Sequence, residues 1–421
     1  MSLAVSGAML DGRALGLRAA QGRIAELGPD VAPRDGDEVI EAGGMRLVPG
    51  LWNAHTHAAM TLFRGYGDDM PLMEWLEKRI WPVEARLDAD DVYWGARLAC
   101  TEMIRTGTVG FWDMYWQPGA TARAVTDAGL RAVIGAPLID GGDPGSDAKL
   151  DKLKADIEQG LEELAGTGER ISAALAPHAI YTVSEPSLRW IGERSAEAEL
   201  PIHIHVSETE KEVADCVAAH GVRPAAYLDR CGALGPRTML AHGVWLDDAE
   251  LDLIAERGAT VVTNPVANQK LAVGGVFPYP AARQRGIGIG LGTDGPGSNN
   301  SVDMFEQMKF LALIQKHTAA DPTVAPASEV WRIAIGAGSP LVGASGELRA
   351  GEPADFLLLR SGAPELGLGD PIADLVYAAS GAGVVDTTVV AGQVLMHGGQ
   401  VEGVDEIREH AVARARRLGI T

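Results

Sequence analysis

The feature that most constrains this chain is a pair of histidines placed directly after a short apolar run. The run Leu47–Trp52 predicts a buried strand, and Asn53, His55 and His57 follow where that strand would end. Because side chains alternate between the two faces of a strand, positions 55 and 57 point the same way. Two imidazoles side by side can bind one divalent transition metal ion through ring nitrogens about 2.0–2.1 Å from it. The pair could equally be two polar residues that leave a strand, and the rest of the chain must decide.

The composition is that of a soluble globular protein, and it excludes several classes of function. The chain has 421 residues, of which 46% are hydrophobic and 22% are charged. Its net charge of -21 argues against nucleic-acid binding, for which basic patches are expected. The sequence contains no apolar run of about 18 residues, so it predicts no transmembrane helix. Without a secretory signal or a disulfide framework among its three cysteines, we expect a reducing, cytoplasmic setting.

Strand-like apolar runs alternate with helix-length amphipathic segments through the middle of the chain. The runs are Leu47–Trp52, Val109–Tyr115, Arg131–Ile139, Ile171–Pro177, Pro201–Val206, Thr238–Leu240, Ala259–Thr263 and Ile287–Gly292. The predicted helices include Ala89–Thr106, Asp147–Leu164, Glu185–Ala198, Asp247–Glu256 and, less regularly, Thr209–Leu228. This alternation predicts a parallel sheet with helical crossovers, and eight units in roughly 300 residues fit a closed α/β barrel of the TIM type, (β/α)8.

Both ends of the chain show a different pattern. Short β-type segments separated by turns fill residues 1–46, and two more precede a final helix from about Val404 to Leu418. We predict that residues 1–46 and 346–421 together form a small β-sandwich domain with a terminal helix. Residues 47–345 would then form the barrel.

Six of the ten histidines and two carboxylates fall at or near the predicted C-terminal ends of strands, where barrel enzymes place functional residues. They are His55, His57, His178, His203, His205 and His242, with Glu208 and Asp294. Each histidine alone would more often be an ordinary polar residue. Their clustering predicts a mononuclear metal site.

Three neutral imidazoles and one carboxylate form a ligand set that leaves one position for water. We assign His55, His57, His205 and Asp294 as these ligands. His203 lies two residues deeper on the same strand face as His205, and we interpret it as a supporting or core residue. A metal ion bound by this set would lower the pKa of water towards neutrality.

Three residues are expected to handle protons. Asp294 can accept the proton of the attacking water and pass it on, and Glu208, in a partly apolar mouth, can stay protonated and donate to the substrate. His242 can hold the attacking water by a hydrogen bond. Binuclear barrel hydrolases commonly bridge two metals with a modified lysine on the fourth strand, but Ile171–Pro177 contains no lysine. We therefore expect one divalent ion per chain, zinc in the first place, although this ligand set also suits iron.

These stretches resemble the amidohydrolase superfamily, and within it the branch of 5′-methylthioadenosine/S-adenosylhomocysteine deaminases and the related triazine chlorohydrolases. The matching stretches are Pro49-Gly-Leu-Trp-Asn-Ala-His-Thr-His57, Trp81-Pro-Val-Glu84, Ala176-Pro-His178, His205-Val-Ser-Glu-Thr209, Ala241-His242, Asn264-Pro-Val-Ala-Asn-Gln-Lys-Leu271, Gly292-Thr-Asp-Gly-Pro-Gly-Ser-Asn-Asn300 and Gly351-Glu-Pro-Ala-Asp355. Together they span nearly the whole predicted barrel and reach the C-terminal sheet.

The resemblance implies a hydrolytic deaminase of adenosine-type nucleosides, such as 5′-methylthioadenosine, adenosine or S-adenosylhomocysteine, with an inosine-type nucleoside and ammonia as products. It implies that Glu84 binds the ribose hydroxyls, whereas by position alone Glu84 could be a helix-surface carboxylate. It further implies that His178 contacts the purine and that Glu208 protonates the ring nitrogen beside the attacked carbon. Asp294 would be both metal ligand and proton shuttle.

One departure from the family concerns the 5′ end of the substrate. Members that accept the homocysteine carboxylate are expected to carry arginines on the third barrel strand and in the loop after it. Here Ala136 stands at the expected position, and the loop offers only Lys149 and Lys152. A bidentate carboxylate clamp is therefore not expected, which favours a smaller or neutral 5′ group. Four tryptophans either line an apolar pocket or pack in the core: Trp75, Trp81, Trp112 and Trp116.

Two rival functions remain open. The chain could use the same attack on another leaving group, as a triazine chloro- or aminohydrolase or a guanine or pterin deaminase. Glu84 and His178 favour the nucleoside, because a ring without ribose has no use for Glu84. The chain could also be a scaffold protein that lost its activity, although all four ligands are present. We further expect a small-molecule substrate, no nucleic-acid or membrane partner, and a homo-oligomer.

Overall fold

The computed structural model describes residues 2–343 and 346–421, and within these ranges the strands form two eight-stranded sheets. The strands are β1 (Ser2–Leu10), β2 (Arg13–Ala20), β3 (Arg23–Gly28), β4 (Asp37–Glu41), β5 (Arg46–Pro49), β6 (Leu51–Thr56), β7 (Thr108–Met114), β8 (Arg131–Leu138), β9 (Ile171–Pro177), β10 (Ile202–Val206), β11 (Thr238–His242), β12 (Thr260–Thr263), β13 (Gly288–Leu291), β14 (Phe356–Leu359), β15 (Val385–Val390) and β16 (Gln393–Met396). Strands β6–β13 form a parallel sheet in chain order, as the predicted barrel requires. The (β/α)8 fold is confirmed.

Helices occupy most connections between the barrel strands. They are α1 (Leu72–Trp75), α2 (Trp81–Glu84), α3 (Ala89–Arg105), α4 (Pro118–Ala128), α5 (Asp147–Ala165), α6 (Glu185–Ala198), α7 (Glu210–His220), α8 (Pro224–Arg230), α9 (Asp248–Arg257), α10 (Pro265–Lys270), α11 (Tyr279–Gln284), α12 (Met304–Ala319), α13 (Ala327–Arg332), α14 (Pro371–Ala373), α15 (Gly381–Val384) and α16 (Val404–Leu418). Short segments of 3-10 or π-helix lie at Ala58–Phe63, Leu76–Ile80, Ile333–Ala337 and Asp374–Ala378. The helix predicted at Thr209–Leu228 is two helices, because Gly221 ends α7 at a φ of +72°. No helix in the two described ranges is long and apolar enough to cross a membrane.

The prediction that Leu47–Trp52 forms one strand is wrong, because this run is divided between the two sheets. Its first part lies in β5, which pairs antiparallel with β14, and its second part begins β6. Pro49 and Gly50 separate the two strands, since proline lacks an N–H for pairing and a Cβ at Gly50 would lie 2.3 Å from a valine side chain of β7. As a result His55 lies within its strand, and His57 follows that strand directly.

Both ends of the chain contribute to the second sheet, which is mixed. Its strand order is β16-β15-β14-β5-β1-β2-β3, and β4 pairs in parallel with β1. The sheet buries its own apolar cluster, which includes Leu3, Val5, Phe356 and Leu358. A β domain built from both chain ends is thereby confirmed, with hydrogen bonds joining its strands into one sheet. The division into residues 1–46, 47–345 and 346–421 stays a prediction, and residues 344–345, at its second boundary, lie outside the described ranges.

Strands β6 and β13 close the barrel through a few specific hydrogen bonds. The His55 carbonyl oxygen accepts the N–H groups of Thr293 at 3.1 Å and Asp294 at 3.0 Å, just beyond the end of β13. The Asn53 amide donates to Thr293 Oγ1 at 2.7 Å, and its oxygen accepts the Thr293 N–H at 3.0 Å. Barrel closure therefore brings His55 and Asp294, two predicted metal ligands, side by side.

A largely buried ion pair joins the barrel to the mixed sheet. Arg131, which begins β8, donates from Nε at 2.6 Å and from Nη2 at 3.1 Å to the two carboxylate oxygens of Asp355. Asp355 directly precedes β14, and it also accepts the N–H of Ala391 at 2.7 Å. One carboxylate thus holds groups from both sheets.

We predict that Asp355→Ala lowers the free energy of unfolding by about 3 kcal/mol, because it leaves a largely buried guanidinium and a backbone N–H without their acceptor. The exposed pair of Lys152 with Asp156 provides a control, and Asp156→Ala should cost at most about 0.5 kcal/mol. Urea unfolding followed by circular dichroism measures both losses. Equal losses in the two variants would contradict this prediction.

Candidate metal centre and active site

The predicted ligands converge at the C-terminal mouth of the barrel. His55 lies in β6 and His57 follows it, His205 lies in β10, and Asp294 follows β13. His55, His205 and Asp294 are buried, and His57 is partly buried. Barrel closure and strand register therefore bring together the four residues that the sequence predicts as ligands.

The spacing of their donor atoms fits a shared ion. Asp294 Oδ1 lies 3.3 Å from His55 Nε2 and 3.2 Å from His57 Nε2, and His57 Nε2 lies 3.3 Å from His205 Nε2. Two ligands about 2.0–2.1 Å from one ion lie about 3.3–3.4 Å from each other when the angle between them is near 109°. The second carboxylate oxygen, Asp294 Oδ2, accepts a hydrogen bond from Ser298 Oγ at 2.7 Å, which fixes the rotation of the carboxylate.

Backbone carbonyls orient two of the histidines. His57 Nδ1 donates to the Met114 carbonyl at 2.5 Å, and His205 Nδ1 donates to the His178 carbonyl at 2.7 Å. Each bond places the ring proton on Nδ1. Nε2 is then unprotonated, and its lone pair faces the site and is free to bind a metal ion. This is the arrangement that metal-binding histidines require.

The third histidine is oriented by another histidine. His55 Nδ1 lies 2.8 Å from His203 Nε2, which is the contact that a supporting residue would make. His55 Nε2 is buried and has no hydrogen-bond partner within the described residues. A buried imidazole nitrogen without a hydrogen bond is costly unless it binds a metal ion. The donor set therefore fits a divalent metal, and the chain carries a three-histidine, one-aspartate site suited to such an ion.

His242 is close enough to be considered as a ligand as well. His242 belongs to a cluster with His55, His205 and Asp294. Each of these four residues has one possible ligand atom, and the four atoms lie within 4.8 Å of one another. The spacings of 3.2 and 3.3 Å that His57 makes with Asp294 and His205 are shorter, and they favour His57 as the fourth ligand. His242 Nδ1 instead bonds to Asn268 Oδ1 at 2.8 Å, which leaves its Nε2 for a different task.

Glu208 is buried beside the metal site, and its Oε1 lies 3.7 Å from His242 Nδ1. Burial raises the pKa of the Glu208 carboxyl, as expected for a proton donor. Glu212 accepts the N–H groups of Ser207 and Glu208, each at 2.8 Å. These bonds hold Ser207 at a φ of +51°, which non-glycine residues rarely adopt, and so set the position of Glu208.

Glu84 lines the same pocket as three of the four predicted metal ligands and is not a free surface carboxylate. It ends α2 and accepts a hydrogen bond from the Tyr115 hydroxyl at 2.8 Å. Burial raises the pKa of the Glu84 carboxyl. His178 also lines the pocket, and its Nδ1 lies 2.8 Å from Thr182 Oγ1, which leaves Nε2 for a ligand.

The rest of the pocket wall is largely apolar and aromatic. Three of the four tryptophans line it, namely Trp75, Trp81 and Trp116. Trp112 packs in the core instead, where its Nε1 donates to the Val342 carbonyl at 2.7 Å. Three of the tryptophans therefore line the pocket, and the fourth packs in the core.

No lysine or arginine is among the described residues that line the pocket. Ala136 is buried in β8, Lys149 is exposed, and Lys152 pairs with Asp156 at 3.1 Å. None of these three residues lines the pocket. This agrees with the expectation that the chain lacks a clamp for a substrate carboxylate.

Four residues that hold the site were missed by the sequence analysis: Tyr115, Glu212, Asn268 and Ser298. Asn268 and Ser298 lie inside stretches that carry the family resemblance, but the resemblance implies no role for either residue. Glu212 follows Thr209 at the spacing of a capping box, a pattern that could have identified it as a helix-start residue. No local pattern marks Tyr115.

Comparison with known sequences identifies the family. The sequence model described as "Amidohydrolase family" matches residues 46–395. The chain belongs to this family. The 5′-deoxyadenosine deaminase of Methanoregula boonei is 47% identical to this amidohydrolase over 405 residues, which cover 95% of this chain and 91% of the relative. The 5-methylthioadenosine/S-adenosylhomocysteine deaminase 1 of Archaeoglobus fulgidus is 42% identical over 405 residues, with coverages of 94% and 93%.

Solved structures agree with this placement. An adenosine deaminase from Xanthomonas campestris with bound zinc superposes with a TM-score of 0.90 at 32% identity, and the match covers 100% of this chain and 99% of that one. Triazine hydrolases of known structure share the fold at about 22% identity, which bears on the fold alone. The family and branch recognised from the motifs are confirmed.

We predict that this amidohydrolase binds one metal ion per chain and that His205→Ala reduces both metal content and activity, because it removes one of the three predicted imidazole ligands. His317 is exposed on α12, so His317→Ala is the matched control and should change neither quantity. Elemental analysis of the purified proteins measures the metal. Two ions per chain, or an active enzyme without metal, would contradict the prediction.

We also predict that Glu212→Ala lowers turnover by about 10–100-fold while metal content is kept, because Ser207 is released and Glu208 shifts from its position. Glu250, a buried carboxylate that accepts the Ala225 N–H at 3.0 Å, offers a control outside the pocket. Glu250→Ala should lower thermal stability without lowering turnover per folded enzyme. Normal turnover in metal-loaded Glu212→Ala would show that Glu212 has only a structural role.

Proposed function

We propose that this amidohydrolase is a metal-dependent deaminase of adenosine-type nucleosides, among them 5′-deoxyadenosine, 5′-methylthioadenosine and adenosine. The products would be the inosine-type nucleoside and ammonia. One observation carries the proposal: the pocket lined by three of the four predicted metal ligands is also lined by Glu84, to whose carboxylate we assign the ribose hydroxyls. The three relatives described above with at least 32% identity are named as deaminases of adenosine-type nucleosides, and their names support it.

We infer that the ion is zinc and that one ion binds per chain. The zinc in the Xanthomonas campestris structure supports the metal, and the lack of a lysine on β9 supports the count. Iron is the alternative, since three imidazoles and one carboxylate suit either metal. When bound, the ion would act as a Lewis acid that brings the pKa of water towards neutrality.

The side chains divide the proton transfers between them. With its Nδ1 held by Asn268, the His242 ring accepts a hydrogen bond from the attacking water at Nε2. Asp294 takes one water proton, and Glu208 protonates the ring nitrogen beside the attacked carbon. As the carbon–nitrogen bond breaks, Asp294 gives its proton to the leaving amino group, which departs as ammonia. Glu208, now deprotonated, takes the proton of the hydroxyl group that the water added to the ring carbon. The reaction therefore consumes one water and releases one ammonia.

The pocket walls favour substrates with an uncharged 5′ end. Glu84 would bind the ribose hydroxyls, and His178 would contact the purine. Beyond Glu84 the pocket continues into a recess lined by apolar groups that include Leu87, Trp116 and Ile139. A homocysteine carboxylate placed there would find no arginine or lysine among the described residues that line the recess.

The rival functions receive less support. Triazines, guanine and pterins carry no ribose for Glu84 to bind, and no contact in the pocket favours them over a nucleoside. An inactive scaffold is disfavoured by the convergence of all the ligands. We also propose a homo-oligomer, no nucleic-acid partner and a cytoplasmic location. Light scattering coupled to gel filtration tests the first of these.

We predict that Glu208→Gln keeps the metal but lowers kcat by about 10²–10⁴-fold, because the amide has no acidic proton to donate. Glu210→Gln changes an exposed carboxylate two positions away and serves as the control. Ammonia release from 5′-deoxyadenosine gives kcat for both variants. A Glu208→Gln enzyme with near-normal kcat would mean that the proton comes from another group.

We predict that 5′-deoxyadenosine, 5′-methylthioadenosine and adenosine are deaminated with higher kcat/KM than S-adenosylhomocysteine, because the pocket lacks a cation for the carboxylate. Glu84→Ala should reduce kcat/KM for these nucleosides more than for free adenine, which carries no ribose. An assay of ammonia release over nucleosides, guanine, pterins and triazines measures the ranking. If S-adenosylhomocysteine is the best substrate, the 5′ specificity is wrong; if only a ring without ribose reacts, the role of Glu84 is wrong.

A further inference from the structure

Three side chains close a ring of hydrogen bonds at the rim of the pocket. Lys270 Nζ donates to Asp68 Oδ1 at 2.6 Å and to Asn300 Oδ1 at 2.8 Å. Asn300 Nδ2 donates to Asp68 Oδ2 at 2.9 Å. Each of the three residues therefore bonds to the other two, and we call this ring the clasp.

The clasp joins three separate parts of the barrel mouth. Asp68 lies in the loop that follows β6, Lys270 ends α10 after β12, and Asn300 lies in the loop after β13. Lys270 and Asp68 are about one-quarter and one-third exposed, so the ion pair lies at the boundary between pocket and solvent. Lys270 and Asn300 belong to stretches that carry the family resemblance, yet the proposed chemistry gives neither a task.

Asp68 belongs to the segment that forms one wall of the pocket. This segment, residues 64–84, contains α1, α2 and the π-helical turn between them, and it ends at Glu84. Its parts contact one another, since Trp75 Nε1 donates to the Tyr66 carbonyl at 3.4 Å and the Arg79 guanidinium lies 5.7 Å from the centre of the Tyr66 ring. A displacement of Asp68 would therefore be transmitted towards the wall and its ribose-binding carboxylate.

The opposite partners of the clasp adjoin the chemistry. Leu271, directly after Lys270, and Ser298, two residues before Asn300, both line the pocket. Ser298 also holds the Asp294 carboxylate at 2.7 Å. The clasp thus connects the segment that carries Glu84 to the parts of the barrel that carry the metal site.

We propose that Asp68, Lys270 and Asn300 are positioning residues that hold the segment 64–84 closed over a bound nucleoside. The proposal rests on the proposed function where it concerns the nucleoside, and on the hydrogen bonds of the clasp where it concerns closure. Loss of one partner frees the segment and moves Glu84 away from the ribose, so affinity for the nucleoside falls while the metal and the proton donors stay in place.

The test compares Asp68→Ala, Lys270→Met and the double variant in the metal-loaded enzyme. Each single variant should raise KM for 5′-deoxyadenosine about 10-fold, as expected for loss of a hydrogen-bonded ion pair, with kcat within about twofold of the parent. The double variant should be no worse than either single variant, because both remove the same clasp. Lys270→Arg keeps the charge and should restore most of the affinity.

A matched control lies in the same segment. Lys78 pairs with Glu74 at 2.7 Å on an exposed helix face, so Lys78→Met removes an ion pair without touching the clasp. It should leave KM unchanged. Effects that multiply in the double variant, or an equal rise of KM in Lys78→Met, would overturn the proposal.

Hydrogen exchange without nucleoside separates this proposal from the proposed function. Amides of residues 64–84 should exchange faster in both clasp variants, while those of the barrel strands stay protected. If no nucleoside is deaminated, the proposed function fails, but faster exchange in this segment still supports the clasp. Unchanged exchange in folded Asp68→Ala and Lys270→Met would overturn it whatever the substrate.

Discussion

His55 closes the barrel with its backbone and faces the metal site with its ring, and the rest of the site depends on this double role. Its carbonyl accepts the N–H groups of Thr293 and Asp294. The last barrel strand, β13, therefore meets the first barrel strand, β6, only when Asp294 lies beside His55. Its ring is held by His203, two residues below His205 on β10. Mutual attraction among the ligand side chains is not needed to assemble the centre, because strand pairing already does so.

Much of this arrangement can be predicted from the sequence. The alternation of apolar runs and amphipathic segments predicts the barrel, because a parallel strand buried on both faces needs a continuous apolar run. The ligand set follows from one rule, that barrel enzymes use the C-terminal ends of their strands. Histidines scattered over the chain thereby become neighbours, and Asp294 joins them for the same reason.

The features that could not be predicted have a common physical cause. The carbonyls of Met114 and His178 orient two ligands, but every residue carries a carbonyl, so no pattern distinguishes them. The division of Leu47–Trp52 between two sheets depends on where Pro49 and Gly50 meet β7 and β14, which a local window does not contain. The partners of Tyr115 and Asp68 are distant in the chain, so their roles emerge only from the fold.

The pairing of β5 with β14 also determines when the mixed sheet can finish folding during synthesis of the chain. Residues 46–49 are made early, but their partner, residues 356–359, is made only after the whole barrel. The barrel strands, each beside its neighbour in the chain, can pair as they leave the ribosome, and β1–β4 can pair with one another just as early, whereas the edge of β5 that binds β14 must wait. A chain that stops before Phe356 would leave the edge of β5 unpaired and Leu47, buried in the finished protein, open to other chains. Incomplete translation products therefore expose an unpaired strand edge that favours aggregation, and this edge is paired in the full-length chain.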